Sequence, residues 1–194
     1  MGNFLKENSY YIFKMAVNQL GMTMFGLMLS MATNGNDTLF LLSSIFSVVF
    51  YLVLLYTMTW DVGYGEKTRI DAKRLRYDRF KGLWMSLAAN VINILLGVIA
   101  TVGYYAASAY TVLESGAVAP VSPEWAENLY GIGKTVATLL QGMYSGIISL
   151  YFKSSPWIFI VIVVPSLAVC AAAYVMGVKG KHFTKFLGPT ESKE

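Results

Sequence analysis

Long apolar runs separated by short charged ones organise this chain. Four segments are long and apolar enough to span a membrane: roughly Ser9 to Ala32, Thr38 to Trp60, Leu83 to Ala109 and Pro156 to Val178. Each holds about the 20 residues that a bilayer core demands. None carries an acidic residue in its interior, and the only basic one, Lys14, sits close enough to the first helix's start to snorkel. No run shows sustained alternation, so the pattern predicts helices rather than strands. The punctuation agrees. Thr33 to Asp37, "TNGND", reads as a short turn, Pro156 suits a first helical turn, and Pro165 is placed to kink the fourth helix. Trp60, Trp84 and Trp157 fall at expected helix ends, where an aromatic belt would put them.

A fifth segment, Asn128 to Phe152, is helical in period but mixed in character. Leu129, Ile132, Val136, Leu140, Met143, Ile147 and Tyr151 recur at steps of three and four, a single greasy stripe. Lys134, Thr138, Gln141, Ser145 and Ser149 mark the opposite side, and Gly142 and Gly146 form a GxxxG pair that permits close helix contact. Three placements fit: flat at the interface, re-entrant with a turn at Lys153-Ser154-Ser155, or spanning with the polar face on a cavity or protein surface. The expected fold is therefore a single all-α integral membrane domain over residues 1–194. It has four transmembrane helices, about 9–32, 38–60, 83–109 and 156–178. The amphipathic helix 128–152 is interfacial, re-entrant or spanning.

Composition sharpens this picture. Only 13% of the 194 residues are charged, about half the share of a soluble domain, and the charges concentrate between the apolar runs. The loop 61–82 holds Lys67, Arg69, Lys73, Arg74, Arg76, Arg79 and Lys81, and the tail adds Lys179, Lys181, Lys185 and Lys193. The Thr33–Asp37 turn and the Tyr110–Asn128 loop hold no basic residue, and the latter carries Glu114, Glu124 and Glu127. The positive-inside rule then puts both termini and the 61–82 loop in the cytoplasm. The net charge of +4 belongs to loops near anionic head groups, not to a nucleic-acid footprint. The first apolar run imitates a signal peptide, with Ser30-Met31-Ala32 as a small-x-small site, but is read as a true transmembrane helix.

Within the basic loop, "GYGEKT" resembles part of a phosphate loop. It lacks the Walker A spacing, since Gly65-Glu66-Lys67-Thr68 has an intervening acid, and no strand precedes it. Gly63 and Gly65 are expected to form the turn that leaves the membrane, and the seven basic residues to meet anionic lipid or a docking partner. Other candidate chemistry is thin. Asn90, Asn93, Gly97 and Thr101 share one face of the third helix, and Asn18, Gln19 and Thr23 lie on the first. Together with Lys134, Thr138 and Gln141 they make either a solute path or hydrogen-bonded glue between helices. The methionines of the first helix, Met15, Met22, Met24, Met28 and Met31, are expected to fill packing gaps rather than bind copper. One cysteine, Cys170, and one histidine, His182, exclude a zinc site built from several such ligands. No metal, no cofactor and no catalytic group is expected. Asp61 is expected to end the second helix in water.

The string "WDVGYGEKTRID…YDRFKGL", a following helix with paired asparagines, and the terminal "YVMGVKGK" resemble small multi-helix membrane proteins of Gram-positive bacteria, a group with no assigned activity. The resemblance implies a multi-pass protein of the bacterial plasma membrane and adds no site. The expected function is that of a non-enzymatic subunit or accessory component of a membrane assembly, meeting other membrane subunits or its own copies. The alternative is a small-solute transporter or channel.

Overall fold

The computed structural model describes residues 2–33, 35–113, 123–152 and 155–181. Glu114, the Lys153-Ser154 part of the re-entrant turn, His182 and the tail residues Lys185 and Lys193 lie outside the described residues. The described chain is helical, without strands: α1 Gly2–Ala32, α2 Asp37–Asp71, α3 Lys81–Ala89, α4 Val91–Leu113, α5 Glu124–Leu140, a 3₁₀ turn Gly142–Tyr144, α6 Ser145–Tyr151, α7 Ile158–Val161 and α8 Val164–Val178. Four stretches are long and apolar enough to cross a membrane: Phe4–Ala32, Asp37–Asp71, Val91–Ser108 and Ile158–Val178. Each overlaps one of the four expected segments.

Several boundaries differ from expectation for identifiable reasons. The second helix does not end at Trp60. It runs on to Asp71, so Gly63 and Gly65 are helical and Asp61 lies in its interior. Gly63 is needed for contact rather than for a turn: a methyl group there would overlap the Tyr174 carbonyl of α8. The third expected span is interrupted at Asn90, between α3 and α4. The fourth breaks ahead of Pro165, which therefore occupies the first turn of α8, where its missing N–H costs little. The 128–152 helix is two helices, broken at Gln141. Trp60 is buried and donates its Nε1–H to the Lys181 carbonyl at 2.9 Å, instead of joining a surface belt. Trp84 and Trp157 are exposed.

The chain divides into two compact units, Met1–Met15 with Leu52–Ala88 and Pro165–Glu194, and Ala16–Tyr51 with Ala89–Val164. In the first unit, glycines set the spacing of α2, α3 and α8. Gly177 lies against the backbone of Trp60 and Tyr64, and Gly82 against the Cys170 carbonyl. Backbones that approach this closely gain dispersion contact without bulky side chains. Cys170 is fully buried beside the hydroxyls of Thr59 and Ser86.

In the second unit, α5 docks on α4 through neither its greasy stripe nor its polar side. The buried positions are Ala126, Gly133 and Ala137. Gly133 meets the Ala100 backbone, and Gly103 meets the Tyr130 backbone. The greasy stripe is split: Ile132 is 66% exposed, Val136 and Tyr151 are also exposed, Leu129, Leu140 and Ile147 are half-buried, and Met143 is buried. The breaks are mended by side chains. Tyr144 N–H turns to the Gln141 carbonyl, and the Leu140 carbonyl accepts from Thr23 Oγ1 at 2.8 Å. Val163 N–H turns to the Ile160 carbonyl, and the Phe159 carbonyl accepts from Gln141 Nε2 at 3.2 Å. The Gly146 amide at the start of α6 donates to Ser44 Oγ at 2.7 Å. Each bond satisfies a backbone group that an interruption or a helix end leaves open.

Candidate functional site

The cytoplasm-facing segment expected from the charge pattern is built on the first unit. From Asp61 to Arg69, positions i, i+4 and i+8 of α2 place Asp61, Gly65 and Arg69 on one helical face. The helix then stops abruptly. Lys73 adopts a left-handed conformation (φ 56°), its N–H reaches the Ile70 carbonyl at 2.9 Å, and Arg74 N–H reaches the Arg69 carbonyl at 2.9 Å. This is the Schellman pattern with lysine where glycine is usual. It folds the chain back so that Arg74 and Leu75 return to the face that carries Arg69.

These residues border an open cleft of about 670 Å³. Glu7 and Tyr11, one turn apart on α1, stand with Asp61 on its wall. Arg69 and Arg74 line it too, and Gly65, with nothing within 4 Å of a Cβ placed there, leaves open space on the α2 face. Glu66 and Lys81 also border it but are occupied with each other: Lys81 Nζ lies 2.6 Å from Glu66 Oε1, and the Tyr174 hydroxyl donates to Glu66 Oε2 at 2.8 Å. That node joins α2, α3 and α8. Among the described residues, neither arginine of the cleft has a carboxylate within 4.0 Å.

The basic residues read from the sequence therefore separate into different surroundings. Arg69 and Arg74 face the cleft. Lys81 is committed to Glu66. Lys67 is half-buried, with its ammonium beside Gly180. Lys73 carries the helix stop, and Arg76 and Arg79 are exposed on a shallow surface with Tyr77 and Phe80. The polar residues expected on a common path belong to the second unit and are mostly buried. Gln19, Asn90, Asn93 and Gln141 are buried, while Asn18, Thr101 and Thr138 are half-buried. Asn93 Nδ2 donates to Asn90 Oδ1 at 3.1 Å, and Thr101 donates back to the Gly97 carbonyl at 2.7 Å, so both bonds stay within one stretch of chain. Lys134 is exposed and stacks its ammonium over the Tyr130 ring at 5.3 Å. Gln141 is 2% exposed, and its Oε1 has no hydrogen-bond partner among the described residues.

Sequence reasoning missed Glu7, Tyr11 and the pairing of Glu66. Glu7 precedes the first expected span and Tyr11 lies near its start, and neither carries a site signal in the sequence. The start of α1 at Gly2 puts both on one helix, one turn apart. The i, i+4, i+8 series in α2 was present in the sequence, but a turn expected at Gly63 hid it. No protein-family model, curated protein or solved structure matches this chain.

Proposed function

We propose that this chain is a non-enzymatic, multi-pass protein of the bacterial plasma membrane that serves as a subunit or accessory component of a membrane assembly. The carrying observation is an inverted distribution of polarity. Phe13, Met28 and Ile92 are 70%, 67% and 60% exposed, whereas Gln19, Thr23, Ser44, Ser47, Asn90, Asn93 and Gln141 on helices or breaks are buried. Water would favour the reverse, and hydrocarbon favours this arrangement. Three of these buried polar groups, Thr23, Ser44 and Gln141, satisfy backbone groups left open by a break or a helix end, which supports a packing role for them. The exposed basic residues of 67–79 support contact with anionic head groups on the cytoplasmic side, where both termini are also placed in this reading. Single cysteines at Gly116 and Thr190, in a Cys170→Ala background, test the topology: they should label from opposite sides, and labelling of both from outside would overturn it. Recovery of a second membrane protein in fixed stoichiometry after gentle solubilisation tests the assembly role, and a lone monomer counts against it.

One observation favours transport as a second reading. The helix breaks at Gln141, Asn90 and residues 162–163 lie among apolar segments, and Gln141 Oε1 is a buried acceptor with no partner among the described residues. Broken helices of this kind bind substrates in transporters. Solute flux in proteoliposomes, compared between the native chain and Gln141→Leu, separates the two. A folded variant with altered flux would promote transport.

A further inference from the structure

We infer that the cleft on the first unit binds a phosphate ester that also bears an amine, the chemistry of a phosphoethanolamine head group. This inference rests on the membrane reading above for the source of the ligand, not for its chemistry. The argument begins with charge. Lys81 and Glu66 neutralise each other, which leaves two poles on one cleft: the carboxylates Glu7 and Asp61, and the guanidinium groups Arg69 and Arg74. Asp61 and Arg69 are eight residues apart on α2, about 12 Å along the axis. Neither arginine has a carboxylate within 4.0 Å among the described residues. The poles do not cancel each other, so the cleft offers both charges to a ligand. A ligand with only negative charge would be repelled by Glu7 and Asp61, and one with only positive charge by the arginines. A zwitterion satisfies both ends. Paired guanidinium groups suit phosphate oxygens, which they can grip through two N–H groups at once. Carboxylates suit the ammonium. Gly65 provides the room: with nothing within 4 Å of a Cβ placed there, the α2 face offers space for the linker between the charged groups.

The same chemistry can come from a phospholipid or from a free phosphoamine, and the experiment distinguishes them. The full chain, purified in detergent with added phosphatidylethanolamine or phosphatidylglycerol, is examined by native mass spectrometry for retained lipid. Phosphatidylethanolamine should stay bound at one copy per chain and phosphatidylglycerol should not. Gly65→Leu fills the space without altering charge, and because leucine is the better helix former the variant should fold. Its retention of phosphatidylethanolamine should fall roughly tenfold or more. The double variant Arg69→Gln, Arg74→Gln should fall similarly, and Glu7→Gln with Asp61→Asn should erase the preference between the two lipids. Displacement of the lipid by millimolar O-phosphoethanolamine, but not by inorganic phosphate, assigns the site to a soluble ligand of the same chemistry; resistance to both assigns it to lipid. Equal retention of both lipids by the native chain, or undiminished retention by folded Gly65→Leu, overturns the inference. If the membrane reading alone is wrong, O-phosphoethanolamine still binds the purified chain and still loses affinity in Gly65→Leu.

Discussion

The two units face the same difficulty, polar groups among apolar neighbours, and answer it differently. In the first, charge meets charge: Lys81 and Tyr174 converge on Glu66, and glycines at 63, 82 and 177 let the helices close around that node. In the second, neutral side chains meet backbone: Thr23, Ser44 and Gln141 each satisfy a peptide group left open by an interruption or a helix end. The difference follows what each unit contains. Ionised groups are costly to bury unless paired, and the first unit pairs one set while leaving the cleft charges exposed. Amide and hydroxyl groups cost less to bury, so the second unit can place them deep without neutralising charge. The comparison shows that a buried polar residue in such a chain is not by itself a sign of a path.

The sharpest way to break the contrast is to add bulk where backbones touch. Gly177→Leu would collide with the Trp60 carbonyl and the Tyr64 amide. It should cost about 3 kcal/mol or more and prevent folding of the first unit, read as loss of a cooperative unfolding transition in detergent. Gly133→Leu in the second unit meets the Ala100 backbone at a slightly greater separation. It should cost less, about 1 to 3 kcal/mol. If both variants are equally tolerated, glycine spacing does not hold either unit.

Removing one polar partner comes next. Glu66→Leu leaves the half-buried Lys81 ammonium and the Tyr174 hydroxyl without their acceptor and should cost about 2 to 3 kcal/mol. Gln141→Leu removes one donor from the Phe159 carbonyl but also deletes an acceptor that has no partner among the described residues. It should cost about 1 kcal/mol. Chemical denaturation of the two variants side by side checks the order, and a larger loss for Gln141→Leu would make the second unit's polar core the more demanding of the two. Thr23→Val, which strips a single hydroxyl from the Leu140 carbonyl, should cost about 1 kcal/mol.

The smallest effect has the opposite sign. Lys73 holds a left-handed conformation that glycine adopts without strain. Lys73→Gly should raise stability by about 0.5 kcal/mol while leaving the cleft arginines in place. A loss of stability would mean that the lysine side chain compensates for the backbone it strains.

Much of this architecture was legible in the chain. The four apolar runs, the Thr33–Asp37 turn and the segregation of charge follow from composition along the sequence, because segment length and apolarity are properties of the local chain regardless of partners. Asn36 even caps α2 as its residue type suggests, accepting from the Leu39 amide at 3.1 Å. What tertiary structure alone decided were the endings and the faces. Gly63 reads as a turn in sequence, but continues a helix because α8 presents a backbone that only a glycine can meet. The 128–152 pattern offers a greasy face and a polar face, but the positions that α5 buries are Ala126, Gly133 and Ala137, where small residues let the backbones approach closely. Glu66 reads in sequence only as the acid that breaks a phosphate-loop spacing, until Lys81 and Tyr174, distant in sequence, arrive at its two oxygens. Local pattern determines which segments are helical because that choice depends on near neighbours. Which face is covered, and which charge is left over to form a site, depends on the shape of helices that the pattern cannot bring together.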